Sequence, residues 1–185
     1  RRRTAAGVGW CLEFSRVLFR SRDSDGKPYI DALSGLWCVN VGYGREEITR
    51  AVAEQMNRLS FFHSFMSNAN EPAIRLSERL AELAPEGLNH VFFCNSGAEA
   101  VECGFKLIRR YHYSKDQPQR NRIISLGGSF HGRTLATIAA AANPSHCDGF
   151  VVGDGGFDQV EFADIDSLRQ AIDERTAGII IEPIQ

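Results

Sequence analysis

The chain has little lysine, only Lys27, Lys106 and Lys115 in 185 residues. It has no surplus of charge of either sign: 21 basic residues face 23 acidic ones, for a net charge of -2. That balance provides no basic surface and argues against a nucleic-acid partner. No apolar run approaches the roughly 20 residues that a membrane-spanning helix needs. The five cysteines stand at 11, 38, 94, 103 and 147. Their odd count, without a CxxC pair, makes reduced thiols in a cytoplasmic protein the plain expectation. No Cys or His spacing resembles a metal site. GxGxxG and GxxxxGK[ST] are both missing, which weighs against nucleotide binding. There is no internal repeat and no low-complexity tract.

The composition that remains is that of a globular protein, 43% hydrophobic and 24% charged, long enough for one domain or for part of a larger one. Residues 1–22 stand apart. They begin with Arg1 rather than Met, and Gly9 to Ser21 resembles translated adapter or vector sequence. They are expected to be a non-native leader, which lacks a signal-peptide cleavage site. Asp25-Gly26 then marks a hairpin-type turn, and Ser34 to Gly44 reads as glycine-punctuated strand and loop. Ile48, Val52, Met56 and Leu59 recur at helical spacing from Glu46. Residues 60–70 read as loop, and Pro72 opens a second helix carrying Leu76, Leu80 and Leu83.

From Val91 the pattern alternates. Val91-Phe92-Phe93-Cys94 is a short apolar run and is expected to be a buried strand. Ala98, Val101, Phe105 and Ile108 mark an amphipathic helix. Ile123 to Leu126 forms a strand, Thr134 to Ala142 a helix ended by Asn143-Pro144, and Val151-Val152 a strand edge before a turn at Asp154-Gly155-Gly156. Asp166 is expected to cap a helix bearing Leu168 and Ile172, and Gly178 to Ile181 a buried strand ending at Glu182-Pro183. Short apolar strands alternating with helices predict an α/β layer with a mainly parallel sheet flanked by helices.

Two segments of this layer carry chemistry. Ser96-Gly97-Ala98-Glu99 has capping-box spacing: the Ser96 hydroxyl accepts from the Glu99 N–H and the Glu99 carboxylate reaches back to the Ser96 N–H. The N–H groups of Gly97 and Ala98 are then free at the positive end of a helix, where a phosphate fits. Taken alone, a plain capped helix is the commoner meaning of such a segment. The second segment is Phe130-His131-Gly132-Arg133-Thr134, delivered after a strand and Gly127-Gly128 to the edge where ligands of open α/β sheets bind. An exposed Phe130 ring there can stack on a flat aromatic ligand. Arg133 can pair with a carboxylate. His131 reads as a hydrogen-bonded structural histidine within the cofactor-binding segment. A phosphate cradle, a stacking ring and a cation together suit pyridoxal 5'-phosphate.

At these residues the chain resembles the class III aminotransferases, of the ω-amino-acid and acetylornithine types. The resemblance runs from about Asp25 to Gln185. Its carriers are Asp25-Gly26 with Tyr29-Ile30-Asp31, the stretch Ser34 to Gly44, Asn95 to Glu102, Phe130 to Thr134 and Glu182-Pro183-Ile184-Gln185. It implies pyridoxal-phosphate transferase fold type I, the aspartate-aminotransferase-like fold, incomplete at the C-terminus. Residues 23–70 would be the N-terminal segment of the small domain with the substrate loop, and 71–185 the first part of the large cofactor-binding domain. The resemblance assigns Ser96, Gly97, Ala98, Phe130 and His131 to the cofactor, with Glu182 in or just behind the pocket. Trp37 and Arg133 would bind substrate. It also implies a homodimer.

The expected activity is transfer of an amino group from an ω- or terminal amine of the acetylornithine, β-alanine, taurine or 4-aminobutyrate type to a 2-oxo acid. The front half leans towards ω-amino-acid enzymes. The middle, around Tyr111 to Gln119 and Phe130 to Ser145, leans towards acetylornithine enzymes. The family's cofactor-bearing lysine and ring aspartate are expected beyond Gln185, so the chain alone is expected to be inactive. A non-catalytic short homologue, and an aminomutase or decarboxylase of the same fold, remain the alternative readings.

Overall fold

The computed structural model describes residues 20–150 and 155–185. They divide into two compact units, Arg1–His90 and Val91–Gln185.

The first unit begins with a hairpin. Strand β1 (Arg20–Arg22) pairs antiparallel with β2 (Pro28–Ile30). Gly26 takes φ 79° in the connecting turn, as the Asp25-Gly26 signal predicts. The last residues of the expected leader therefore make a strand. Asp23 fastens the turn: its carboxylate accepts the N–H groups of Asp25 and Lys27 and the Tyr29 hydroxyl.

The next stretch, expected as strand and loop, opens instead with one helical turn, α1 (Ser34–Trp37). Ser34, Gly35, Leu36 and Trp37 all have left-handed φ, between 50° and 64°. That backbone costs about 1–2 kcal/mol for each residue with a Cβ. It is braced by the Asp31 carboxylate, which accepts the N–H groups of Leu33 and Gly35 and the Tyr43 hydroxyl. Helices α2 (Glu46–Arg58) and α3 (Glu71–Leu83) lie where periodicity places them. The Asn70 side chain caps α3 by accepting from the Ala73 N–H, and Pro72 sits in its first turn.

The second unit has a three-stranded parallel sheet in the order β4 (Phe157–Val160), β3 (Arg122–Leu126), β5 (Thr176–Ile180). Alternate residues of β3 face opposite sides, so each side of the sheet takes its own helices. Ile123 packs with Phe105 of α4 (Gly97–Tyr113), Ala139 and Ala140 of α5 (Leu135–Ala141), and Phe157. Ile124, Leu126 and Val160 face Leu168 and Ala171 of α7 (Ile165–Ala171). The expected parallel sheet between helices is thus present. Arg122 ties β3 to β4 through a forked pair with Asp158, at 2.7 and 2.5 Å. Asn143 caps the short α6 (Pro144–Cys147).

Several local expectations are corrected. Val91 to Cys94 is not a buried strand: Phe92 is 71% exposed. Among the described residues no strand lies beside it to take its backbone hydrogen bonds. Asp164, not Asp166, caps α7, accepting from the N–H groups of Asp166 and Ser167, and Ile172 falls just past the helix end. The last strand is half-covered rather than buried, with Ile179 and Ile181 exposed. Val151, Val152 and Asp154 lie outside the described residues. Of the cysteines, Cys38, Cys94, Cys103 and Cys147 are free; Cys11 lies outside the described residues. No described helix is long and apolar enough to cross a membrane.

Candidate functional site

The loop that follows β3 and the start of α4 meet at one cleft of about 610 Å³. It is lined by Ser96, Gly97, Ala98 and Val101 from the helix start, and by Phe130 to Thr134 from the loop after β3. The two segments singled out in the sequence therefore stand face to face.

The helix start is capped as expected on one side only. Ser96 Oγ accepts from the Glu99 N–H at 3.2 Å. The Glu99 carboxylate does not return to the Ser96 N–H: its Oε2 accepts from the Asn95 N–H at 2.7 Å. That bond spans one residue more than the capping box requires. Among the described residues it leaves the N–H groups of Ser96, Gly97 and Ala98 without an acceptor at the positive helix end. Open space surrounds the Cβ position of Gly97 to 4 Å, so a ligand can approach the backbone there.

The opposing loop is held close by Gly132. Its φ is 130°, and a Cβ there would lie 2.7 Å from Ala98 Cβ and 3.0 Å from Ala98 Cα. No larger residue fits without moving α4. Thr134 adds a second tie, donating from Oγ1 to Glu102 Oε1 of α4 at 2.7 Å. Gly132 and Thr134 hold the cleft closed to ligand size. Sequence reading placed no role on Gly132; its position between the stacking residue and the cation was the available signal.

Phe130 is 53% exposed, as stacking requires. The Arg133 guanidinium lies 5.6 Å from its ring centroid, a cation–π distance, and His146 meets the ring edge-on at 6.4 Å. Arg133 itself is exposed beside the cleft. His131 departs from expectation. It is buried, yet its Nε2 has no hydrogen-bond partner among the described residues. Burial pushes its pKa below the ordinary 6.5, while the nearby Glu182 carboxylate pulls the other way. A neutral imidazole with an unsatisfied buried nitrogen at a ligand-sized cleft is a free polar contact. Glu182 lies behind the cleft, its Oε2 accepting from the Phe130 N–H at 2.9 Å.

Trp37 is in the first unit, 71% exposed on the left-handed turn. None of the three lysines lines the cleft. Lys106 flanks a separate hollow of about 360 Å³ with Phe92, Cys94 and Cys103; the acidic residues of that hollow, Glu99 and Glu102, are already engaged. Among the described residues there is no cluster of His, Cys, Asp or Glu able to hold a metal ion.

The donor set suits a phosphorylated planar ring. Free backbone N–H groups at a helix start would suit a phosphate, an exposed phenyl ring would suit the face of a planar ring, and an orphaned imidazole nitrogen would offer one more polar contact.

The family model for aminotransferase class-III matches residues 18–185. The acetylornithine aminotransferase of Agrobacterium fabrum is 43% identical over 162 residues, 86% of this chain and 39% of that protein. The putrescine–pyruvate aminotransferase of Pseudomonas aeruginosa is 44% identical over 117 residues, 63% of this chain and 26% of that protein. In structure, the omega transaminase from Pseudomonas jessenii in complex with PMP superposes with a TM-score of 0.85 at 30% identity, covering 94% of this chain and 43% of that one. The chain thus spans less than half the length of each of these relatives.

Proposed function

Because the chain belongs to the class-III aminotransferase family and has its fold-type-I arrangement of a parallel sheet between helices, we propose that it serves pyridoxal-phosphate-dependent transamination. The amine is an ω- or terminal amine and the acceptor a 2-oxo acid. The observation that carries this reading is the closure of the Phe130–Thr134 loop onto the α4 start through Gly132. In this reading Ser96, Gly97 and Ala98 hold the phosphate, with the backbone N–H groups of Gly97 and Ala98 as donors. Phe130 stacks on the ring and His131 Nε2 meets a polar group at its edge. Bound there, the cofactor supplies an electron sink for proton transfer at the substrate carbon. Arg133 takes the substrate carboxylate in an acetylornithine-type enzyme, and Trp37 lines the substrate pocket in an ω-type one.

The lysine that moves the proton is not among the residues lining this cleft, so we expect no turnover from these 185 residues alone. Residues 23–70 contribute to the small domain and 71–185 to the large one. The active assembly is a cytoplasmic homodimer. Acetylornithine and putrescine, which name two of the relatives, are the first donors to try with a protein that supplies the lysine.

Equilibrium dialysis with pyridoxamine 5'-phosphate tests the reading, since that form does not react with surface lysines. One saturable site is expected, competed by inorganic phosphate and weakened up to about tenfold in Phe130→Ala, the worth of an aromatic stack. No saturable binding would overturn the cofactor reading. Turnover of amine and pyruvate by this chain alone would overturn the expectation about the lysine.

A further inference from the structure

The segment after β5 reaches back to the loop after β3 and holds it at Phe130 and just before it. At Phe130 itself, Glu182 Oε2 accepts the backbone N–H at 2.9 Å. In the residues just before it, Gln185 Nε2 donates to Ser129 Oγ at 2.9 Å and to the Gly127 carbonyl at 3.3 Å. Gly128 lets Gln185 come this close: its φ is 78°, and a Cβ would sit 3.0 Å from Gln185 Oε1. Pro183 disfavours helical backbone at Glu182, so the strand direction carries on into the contact. Neither Glu182 nor Gln185 lines the cleft. Phe130, which Glu182 holds, does line it, and so does the next residue, His131.

We propose that Glu182 and Gln185 are positioning residues that clamp the Gly127–Phe130 segment, fixing the Phe130 ring and, through the adjoining backbone, the depth of the His131 imidazole for the ligand of the cleft. This rests on the cofactor reading of that cleft. Glu182 contributes through a backbone amide and not by touching the ligand. Its bond is charge-assisted and so about twice as strong as a neutral one. It is also the carboxylate whose field opposes the effect of burial on His131.

The test uses the 185-residue chain and the variants Glu182→Ala, Glu182→Gln and Gln185→Ala. Amide exchange at Phe130 and the ring titration of His131 are read by NMR without ligand. Pyridoxamine 5'-phosphate affinity is read separately. Glu182→Ala is expected to speed Phe130 exchange about tenfold and weaken ligand binding about fivefold, the scale of one lost hydrogen bond. Glu182→Gln keeps an acceptor and should restore both to within about twofold. The His131 titrations should separate. In Glu182→Gln the imidazole stays buried and loses its carboxylate, so its pKa falls below that of the unaltered chain. In Glu182→Ala the segment loosens and the pKa rises towards the ordinary 6.5.

Unchanged exchange and affinity in Glu182→Ala, or identical behaviour of the Ala and Gln variants, would overturn the proposal. If Glu182→Ala does not fold, Gln185→Ala decides: binding about threefold weaker supports the clamp, and unchanged binding overturns it. An unaltered chain with a protected Phe130 amide that takes up no pyridoxamine 5'-phosphate would sink the cofactor reading and leave the clamp standing.

Discussion

In residues 22–90 two well-formed amphipathic helices bury no side chain, whereas residues 91–185 cover Phe105, Ile123, Ile124 and Ala140 almost completely. The helices of the first unit are not poorer in sequence. Ile48, Val52 and Met56 make as regular a stripe as Val101, Phe105 and Ile108. The difference is the partner. In the second unit a sheet presents Ile123 and Phe157 to the helix stripe. In the first unit the organised parts are polar: Asp23 under the hairpin and Asp31 under the left-handed turn. Periodicity makes a helix, but only an opposing surface turns the stripe into stability, at about 1.5–3 kcal/mol per large side chain buried.

That contrast can be broken at several points. Phe105→Ala should have the largest effect, about 3–5 kcal/mol of the second unit's stability, read from urea denaturation. Gly132→Ala should cost about 1–3 kcal/mol through overpacking against Ala98. It should also remove ligand binding, because the cleft opens when the loop moves away.

Acid should weaken the second unit next. The folded state resists protonation of His131 below its ordinary 6.5, so the unfolded state takes up the proton first as pH falls. The contribution is fully present above that pH and is lost below it. The urea midpoint should therefore drop between pH 7.5 and 5.5, and His131→Gln should flatten the drop. Asp31→Ala should release the left-handed turn at a cost of about 1 kcal/mol, seen as a shift in Trp37 emission in a Trp10→Phe background. Val52→Ser, on the exposed stripe of α2, should change stability by no more than about 0.5 kcal/mol.

The sequence was most readable where a local rule and the tertiary setting agree. The stripes of α2, α3 and α4, the Asp25-Gly26 turn and the apolar β3 follow from spacing alone. The meeting of the α4 start with the Phe130 loop was also expected, although only the loop follows a strand, β3, and the segment before α4 does not form one. It was least readable where the outcome hangs on a neighbour. Val91 to Cys94 has the composition of a strand, but a strand exists only beside another. The choice of Asp164 over Asp166 as cap turns on a two-residue offset that periodicity does not resolve. Gly132 and the Glu182–Gln185 clamp depend on contacts across 34 and 52 or more positions, where spacing carries no signal.

The most direct test of the central claim is a map of backbone amide shifts as pyridoxamine 5'-phosphate is titrated into the isotopically labelled chain. The account predicts saturable shifts concentrated at Gly97, Ala98 and Phe130 to Arg133, with Gly97 and Ala98 also responding to inorganic phosphate alone. Shifts confined to other surfaces, or none at saturating ligand, would contradict it.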